Sequence, residues 1–203
     1  MKKIILGLKL GMSQVIKENG EVVPVTAVQI MDNMVLDVLN SDSDGAGMVL
    51  GVGSIKEKKL SKPMKGQFDR YKKGYFKYIK NYKLDDAGGF KAGSPLSLDM
   101  FEKDERVSVR GRTIGKGFAG TIKRHNFSRG PMTHGSKNHR QPGSLGGGTD
   151  PGRVFKGTRM GGRMGNVYRT VKNLCIVEVD KESSVLYIKG ALPGKVSLVE
   201  IFN

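Results

Sequence analysis

Acidic side chains are nearly missing from one third of this chain. Between Arg106 and Lys172 the only one is Asp150, set against 15 Lys and Arg and among 15 glycines, while the whole chain of 203 residues has 19 acidic and 35 basic residues. Almost all of the formal net charge of +16 therefore falls in this basic segment, and its partner must be equally local. Cysteine is scarce too. Cys175 stands alone, which excludes an intrachain disulfide and a zinc site built from paired cysteines, and suits a reducing cytoplasm. Long apolar runs are absent: the start of the chain has two lysines and the short run Ile4-Ile5-Leu6, too short for a signal core or a membrane span. No membrane partner and no secretory route are expected, so the sequon Asn126-Phe127-Ser128 is read as accidental. Internal repeats are also absent.

What is present is sorted by type. Ten of the eleven arginines, all but Arg70, lie in the basic segment, while 19 of the 24 lysines lie outside it. Arginine's planar fork pairs with phosphate oxygens and stacks on bases, whereas lysine mainly supplies soluble point charge. The segment reads as a nucleic-acid contact and the remainder as its scaffold.

The scaffold is mainly β, in an α+β arrangement. Runs of Val, Ile and Leu predict strands near residues 13–17, 22–30, 34–39 and 47–54, with Asn19-Gly20 supplying the positive φ angles of a tight hairpin between the first two. Asn40, Asp42, Asp44 and Gly45 suggest a calcium loop, but Gly51 stands where a bidentate Glu is needed at roughly the twelfth position, so a polar turn is expected. Phe68 and Tyr71 at helical spacing, then Tyr75, Phe76, Tyr78 and Tyr82 among lysines, read as a small helix and strand that pack their aromatics onto a barrel formed by the strands. Stacking of these aromatics on bases is the alternative. Val107 and Val109 alternate with polar residues, and apolar runs return at residues 174–177, 185–188 and 196–202, so the basic segment is an excursion from one domain. Structureless loops are usually well under about 15 residues, and Phe118, Phe127, Val154, Phe155, Met160 and Met164 do not suit a solvated linker. A partner that orders the segment is the reading.

No motif in it supports catalysis. Gly115-Lys116-Gly117-Phe118-Ala119-Gly120 matches a dinucleotide fingerprint, yet no acid follows at about 20 residues to hold a ribose. A flexible turn into a short basic helix over 118–123, its amides facing phosphate, is expected instead. His125, His134 and His139 are spaced nine and five residues apart without Cys or acid partners, so neither a metal site nor a catalytic base is expected; they would serve as donors to phosphate or stack on bases.

Gly7-Leu8-Lys9-Leu10-Gly11-Met12-Ser13, the run from Lys116 to Phe127, His134-Gly135-Ser136, His139-Arg140, Pro142-Gly143-Ser144, the run from Pro151 to Gly157, Met160-Gly161 and Met164-Gly165-Asn166 together resemble the bacterial large-subunit ribosomal protein L-three family. The resemblance covers nearly the whole chain. It implies a small six-stranded barrel of the kind shared with translation factors, carrying a small mixed insertion and a long irregular Gly/Arg-rich extension. By this reading residues 1–112 form the first part of the barrel, with a Lys- and aromatic-rich insertion near 56–105. Residues 113–169 form the extended loop and 170–203 the closing strands. The resemblance further implies direct binding to large-subunit ribosomal RNA, a role early in subunit assembly, neighbouring large-subunit proteins as partners, and a place in the ribosome in the cytoplasm. The loop would turn at Gly146, Gly147, Gly148, Thr149 and Asp150, its part nearest the peptidyl transferase centre. Some members carry a methylated glutamine at the tip; here Gly147, Gly148 and Thr149 stand there, and that modification is not expected. Asp150 is an acid where a neutral residue is expected, and Leu8 stands where the family often has lysine.

The chain is accordingly read as a structural RNA-binding protein with no catalytic residue, cofactor, metal or small-molecule substrate. The candidate contacts are Arg110, Arg112, Lys116, Lys123, Arg124, His125, Arg129, His134, Lys137, His139, Arg140, Arg153, Lys156, Arg159, Arg163 and Arg169. An RNA-modifying enzyme is the rival, but the acids cluster near residues 99–105 and in turns without a paired site. A nonspecific polyanion binder is the second rival, separable by scrambling the segment at constant charge.

Overall fold

The first hairpin shows how local sequence sets local structure. Strands β1 (Ile4–Ile16) and β2 (Val22–Ile30) pair antiparallel, with Ile16 opposite Val22. Only Gly20 has a positive φ, +79°, and Gly20 N–H donates to Lys17 O while Lys17 N–H donates to Glu21 O. This is a three-residue loop closed by a glycine bulge, not the two-residue turn with two positive φ angles that Asn-Gly predicts. Asn19 contributes through its side chain, whose Oδ1 accepts the Glu21 N–H at 3.0 Å.

In this computed structural model the described residues are 3–41, 45–84 and 89–203. The further elements are β3 (Asn33–Ser41), β4 (Gly45–Ser54), α1 (Lys62–Tyr71), β5 (Phe76–Lys83), β6 (Pro95–Leu96), β7 (Arg106–Arg112), β8 (Phe118–Ala119), α2 (Thr121–His125), β9 (Gly162–Arg163), β10 (Tyr168–Asp180), β11 (Val185–Lys189) and β12 (Leu198–Phe202). The chain divides into two compact units: Met1–Arg112 with Tyr168–Asn203, and Thr113–Val167. The expectation of a mainly β chain is met. The polar turn expected around Asp42 and Asp44 lies outside the described residues.

In the first unit six antiparallel strands close in the order β1-β12-β7-β10-β11-β2. Inward residues from all six, among them Ile5, Val28, Val109, Ile176, Leu186, Ile188 and Ile201, fill the interior. Strands β3 and β4 are not part of this ring. They pair with β5 and β6 in a separate four-stranded sheet, so the insertion starts at Asn33 and not near residue 56. The sequence did not reveal this because both faces of that sheet are covered, which removes the alternation that marks a half-exposed strand. Val35, Met48 and Leu50 pack with Ile4 and Leu6 of β1, while Leu36 and Val49 on the opposite face pack with Phe68 of α1 and with Phe76. The aromatics of residues 68–76 therefore cover this second sheet and not the barrel, whereas Tyr78 and Tyr82 pack in the cluster that holds Ile4 and Leu6 of β1. Gly51 makes room for one of them, since a Cβ there would come within 2.7 Å of the Phe76 ring. Asn33 joins the two sheets: its side chain accepts from Leu6 N–H at 3.1 Å and donates to Leu6 O at 2.8 Å, pairing like a strand residue.

The start and end of the chain are clasped by Glu105. Lys3 Nζ donates to both its oxygens at 2.8 and 2.9 Å, and Glu102 N–H and Asn203 Nδ2 add further bonds. Burial pushes the Glu105 carboxyl up, but these donors, led by Lys3, outweigh it and hold the group below the usual carboxylate range. A depressed folded pKa stabilises the fold above the unfolded value and is lost as pH falls through the folded one. Glu105→Gln is expected to unfold at lower urea than the parent protein at pH 7 and at nearly the same urea at pH 3. An equal gap at both pH values would sink this account.

Candidate nucleic-acid interface

The second unit begins with a neck. Thr113 N–H donates to Val167 O, Asn166 N–H to Thr113 O, Lys116 N–H to Met164 O and Met164 N–H to Gly117 O, all at 2.8 to 3.1 Å. Gly165 has φ +71°, and a side chain there would collide with Ile114 O, so this turn requires glycine. Beyond the neck β8 pairs with β9, placing Phe118 opposite Arg163 and Ala119 opposite Gly162. The expected helix over 118–123 is displaced: Phe118 and Ala119 belong to a strand, and the helix is α2, which begins at Thr121. It stops at Asn126, whose φ of +59° no further helical turn can follow.

The return strand is fastened to α2 by one carbonyl. Met160 O accepts from Arg124 Nη1 at 2.9 Å and lies 3.0 Å from His125 Nε2. Gly162 lets the guanidinium lie on bare backbone, because a Cβ there would be 2.5 Å from Arg124 Nη1. His139 Nδ1 lies 2.9 Å from Pro131 O, and Gly130 N–H donates to His139 O, closing a loop over 130–139. Thus Arg124, His125 and His139 have structural partners inside the segment. Lys116, Lys123, Arg129, His134, Lys137, Arg140, Arg153, Lys156, Arg159 and Arg163 are exposed, as are Gly146, Gly147, Gly148, Thr149 and Asp150. Arg153 carries its guanidinium 5.6 Å over the Phe155 ring, and both side chains face water.

Arg110, Arg112 and Arg169 belong to the first unit, on β7 and β10. Arg110 is engaged there: Nη1 lies 3.7 Å from a carboxylate oxygen of Glu200, and its guanidinium 4.9 Å over the Tyr168 ring. Lys80 Nζ approaches the same carboxylate at 3.4 Å and donates to Tyr168 Oη at 3.3 Å. Glu200 is only 3 % exposed, so two flanking cations compensate a buried charge. Beside it, burial and then the Glu200 charge push the Tyr82 phenol well above its usual value. Tyr82, Lys83, Arg110, Tyr168 and Thr170 line a cleft of about 500 Å3. The sequence reading missed this cluster. Its signal was the single acid inside the apolar closing strand Val199-Glu200-Ile201-Phe202.

Among the described residues no three His, Cys, Asp or Glu side chains gather as metal ligands, and no helix is long and apolar enough to cross a membrane. The three histidines do not converge on a carboxylate. Ten Lys and Arg against one acid thus mark the glycine-rich unit Thr113–Val167, inserted in the chain between β7 and β10, as a strongly basic segment of the kind found in proteins that bind polyanions.

Known proteins narrow the class. The family model for Ribosomal protein L3 matches residues 83–190. Large ribosomal subunit protein uL3 of Picosynechococcus sp. (strain ATCC 27264 / PCC 7002 / PR-6) is 49% identical over 193 residues, 94% of this chain and 91% of the relative. The proteins of that name from Synechococcus sp. (strain CC9902) and Thermosynechococcus vestitus are each 45% identical over 192 residues, 94% of this chain and 88% and 91% of theirs. The chain belongs to the ribosomal protein L3 family.

Proposed function

We propose that this protein is a structural, non-enzymatic constituent of the large ribosomal subunit that binds ribosomal RNA directly through residues 113–169. The observation that carries the reading is the exposure of all ten Lys and Arg of Thr113–Val167, of which Arg124 alone makes a side-chain hydrogen bond among the described residues, with Asp150 as the only acid in that segment. Cations so placed release counterions from a phosphate backbone, and glycine lets the main chain follow it closely. Arg112 and Arg169, on β7 and β10 of the first unit, are further contacts in this reading. Arg110 supports it by holding the root of the segment through Glu200 and Tyr168.

The family likeness supports the finer parts of the proposal. The barrel, of the kind shared with translation factors, anchors the protein early in subunit assembly, beside neighbouring large-subunit proteins in the cytoplasm. The turn at Gly146–Asp150 points towards the peptidyl transferase centre. Sedimentation of a lysate through a high-salt sucrose gradient tests the whole. Stoichiometric recovery with large subunits is expected; recovery at the top of the gradient would replace this reading with that of a loose polyanion binder.

A further inference from the structure

Phe118 has the greatest exposure among the described large apolar side chains, 82 %. It is not a loose loop residue. The β8–β9 ladder fixes its backbone, and residues directly opposite in a ladder project to the same face, so Arg163 stands beside the ring. Ala119, the next residue, projects the other way and is buried. Gly161 supports the ring from behind: a Cβ there would lie 3.3 Å from Cε1 and Cζ, so the aromatic edge rests against bare backbone and the rest faces solvent. An exposed aromatic ring and a guanidinium thus leave the ladder on one face.

We propose that Phe118 is a stacking platform for one unpaired nucleobase of RNA, with Arg163 meeting the phosphate of the same nucleotide. The inference rests on the RNA-binding reading above and goes beyond it, because phosphate contact alone gives an exposed phenylalanine nothing to do. A nucleotide presents a flat π face and an anion a few ångströms apart, which is the pattern that ring and guanidinium match. An apolar protein pocket would cover the ring only by desolvating Arg163 as well, at a cost that such a pocket does not offset. A regular RNA duplex does not serve either, since its base faces are already stacked; the platform requires a bulged, looped or splayed base.

The test is binding of the full chain to an in-vitro transcript of bacterial large-subunit ribosomal RNA, titrated at several salt concentrations. Phe118→Leu is expected to weaken binding by roughly 5- to 100-fold with an unchanged salt slope, as loss of one stacked base does. Phe118→Trp is expected to stay within about threefold of the parent, and Arg163→Gln to lower the slope by about 0.7 to 0.9. If the parent chain shows no salt-dependent binding, the RNA-binding reading itself fails. If the parent binds and Phe118→Leu binds equally well, the platform is overturned while that reading stands. Equal losses in Phe118→Leu and Phe118→Trp would also overturn it, and so would a lowered thermal midpoint in Phe118→Leu, which would mark the ring as packed within the protein.

Discussion

Excising residues 113–167 and joining Arg112 to Tyr168 through an Asn-Gly turn is expected to leave a folded protein that has lost its affinity for ribosomal RNA. Arg112 and Tyr168 are direct neighbours across β7 and β10, so a two-residue hairpin closes the gap without moving either strand. Every residue of the barrel core lies outside the excised segment. The deleted unit carries ten Lys and Arg, and each one that meets a phosphate contributes about 0.7 to 0.9 to the salt slope. Losing most of them should flatten the slope by several units and weaken binding by at least about a thousandfold at moderate salt. Filter binding at several salt concentrations, with thermal unfolding as the control for folding, reads both effects. Retained affinity with a steep slope would move the interface to the lysines of the first unit, half of which lie on β5 and near α1.

That experiment depends on features of unequal legibility in the sequence. Several barrel strands could be read one by one, because Val107 and Val109 alternate with Ser108 and Arg110 and the closing runs are bounded by turn residues; β1 was expected only near residues 13–17, although its stretch Ile4–Leu8 pairs with β12. Membership of a sheet could not be read. A strand's own residues report how many of its faces are covered, and β3 and β4, covered on both, look the same whether they close a ring or form a second sheet. Pairing is decided by long-range partners such as Asn33 with Leu6, which leave no periodic trace in the sequence.

The site divides along the same line. Charge and glycine content are sums over residues, so the basic segment was plain from composition. Which cations have partners is a matter of geometry: Arg124 donates to Met160 O and Arg110 approaches Glu200, and both partners are far off in the sequence. Phe118 was visible only as one of several apolar residues that do not suit a solvated linker. Its role as a plate follows from Gly161, more than forty residues away in the sequence. Where function rests on total charge the sequence speaks; where it rests on one side chain's neighbours, the fold must be known.

Lys9→Met is expected to cost about 2 to 4 kcal/mol, the largest single-residue loss of stability foreseen here. Lys9 is only 8 % exposed, and its ammonium donates to Leu192 O at 2.8 Å and to Gly194 O at 2.9 Å. It fastens the β11–β12 connection to β1 just where β1 bulges between Lys9 and Gly11 and parts from β12. Methionine fills the same channel but leaves both carbonyls without a donor, and an unmet buried acceptor costs about 1 to 3 kcal/mol. Leu8, the neighbouring position singled out by family likeness, makes no such bond. Burial also holds the Lys9 pKa below the usual lysine range. The folded state therefore gives up this proton at lower pH than the unfolded chain does, so stability from this group rises with pH through the window below 10.5. The neutral amine still donates to both carbonyls. Urea unfolding at pH 7 and again near pH 10 should find Lys9→Met less stable at both, with the wider gap at the higher pH. A variant as stable as the parent at pH 7 would mean that water, not Lys9, satisfies the two carbonyls.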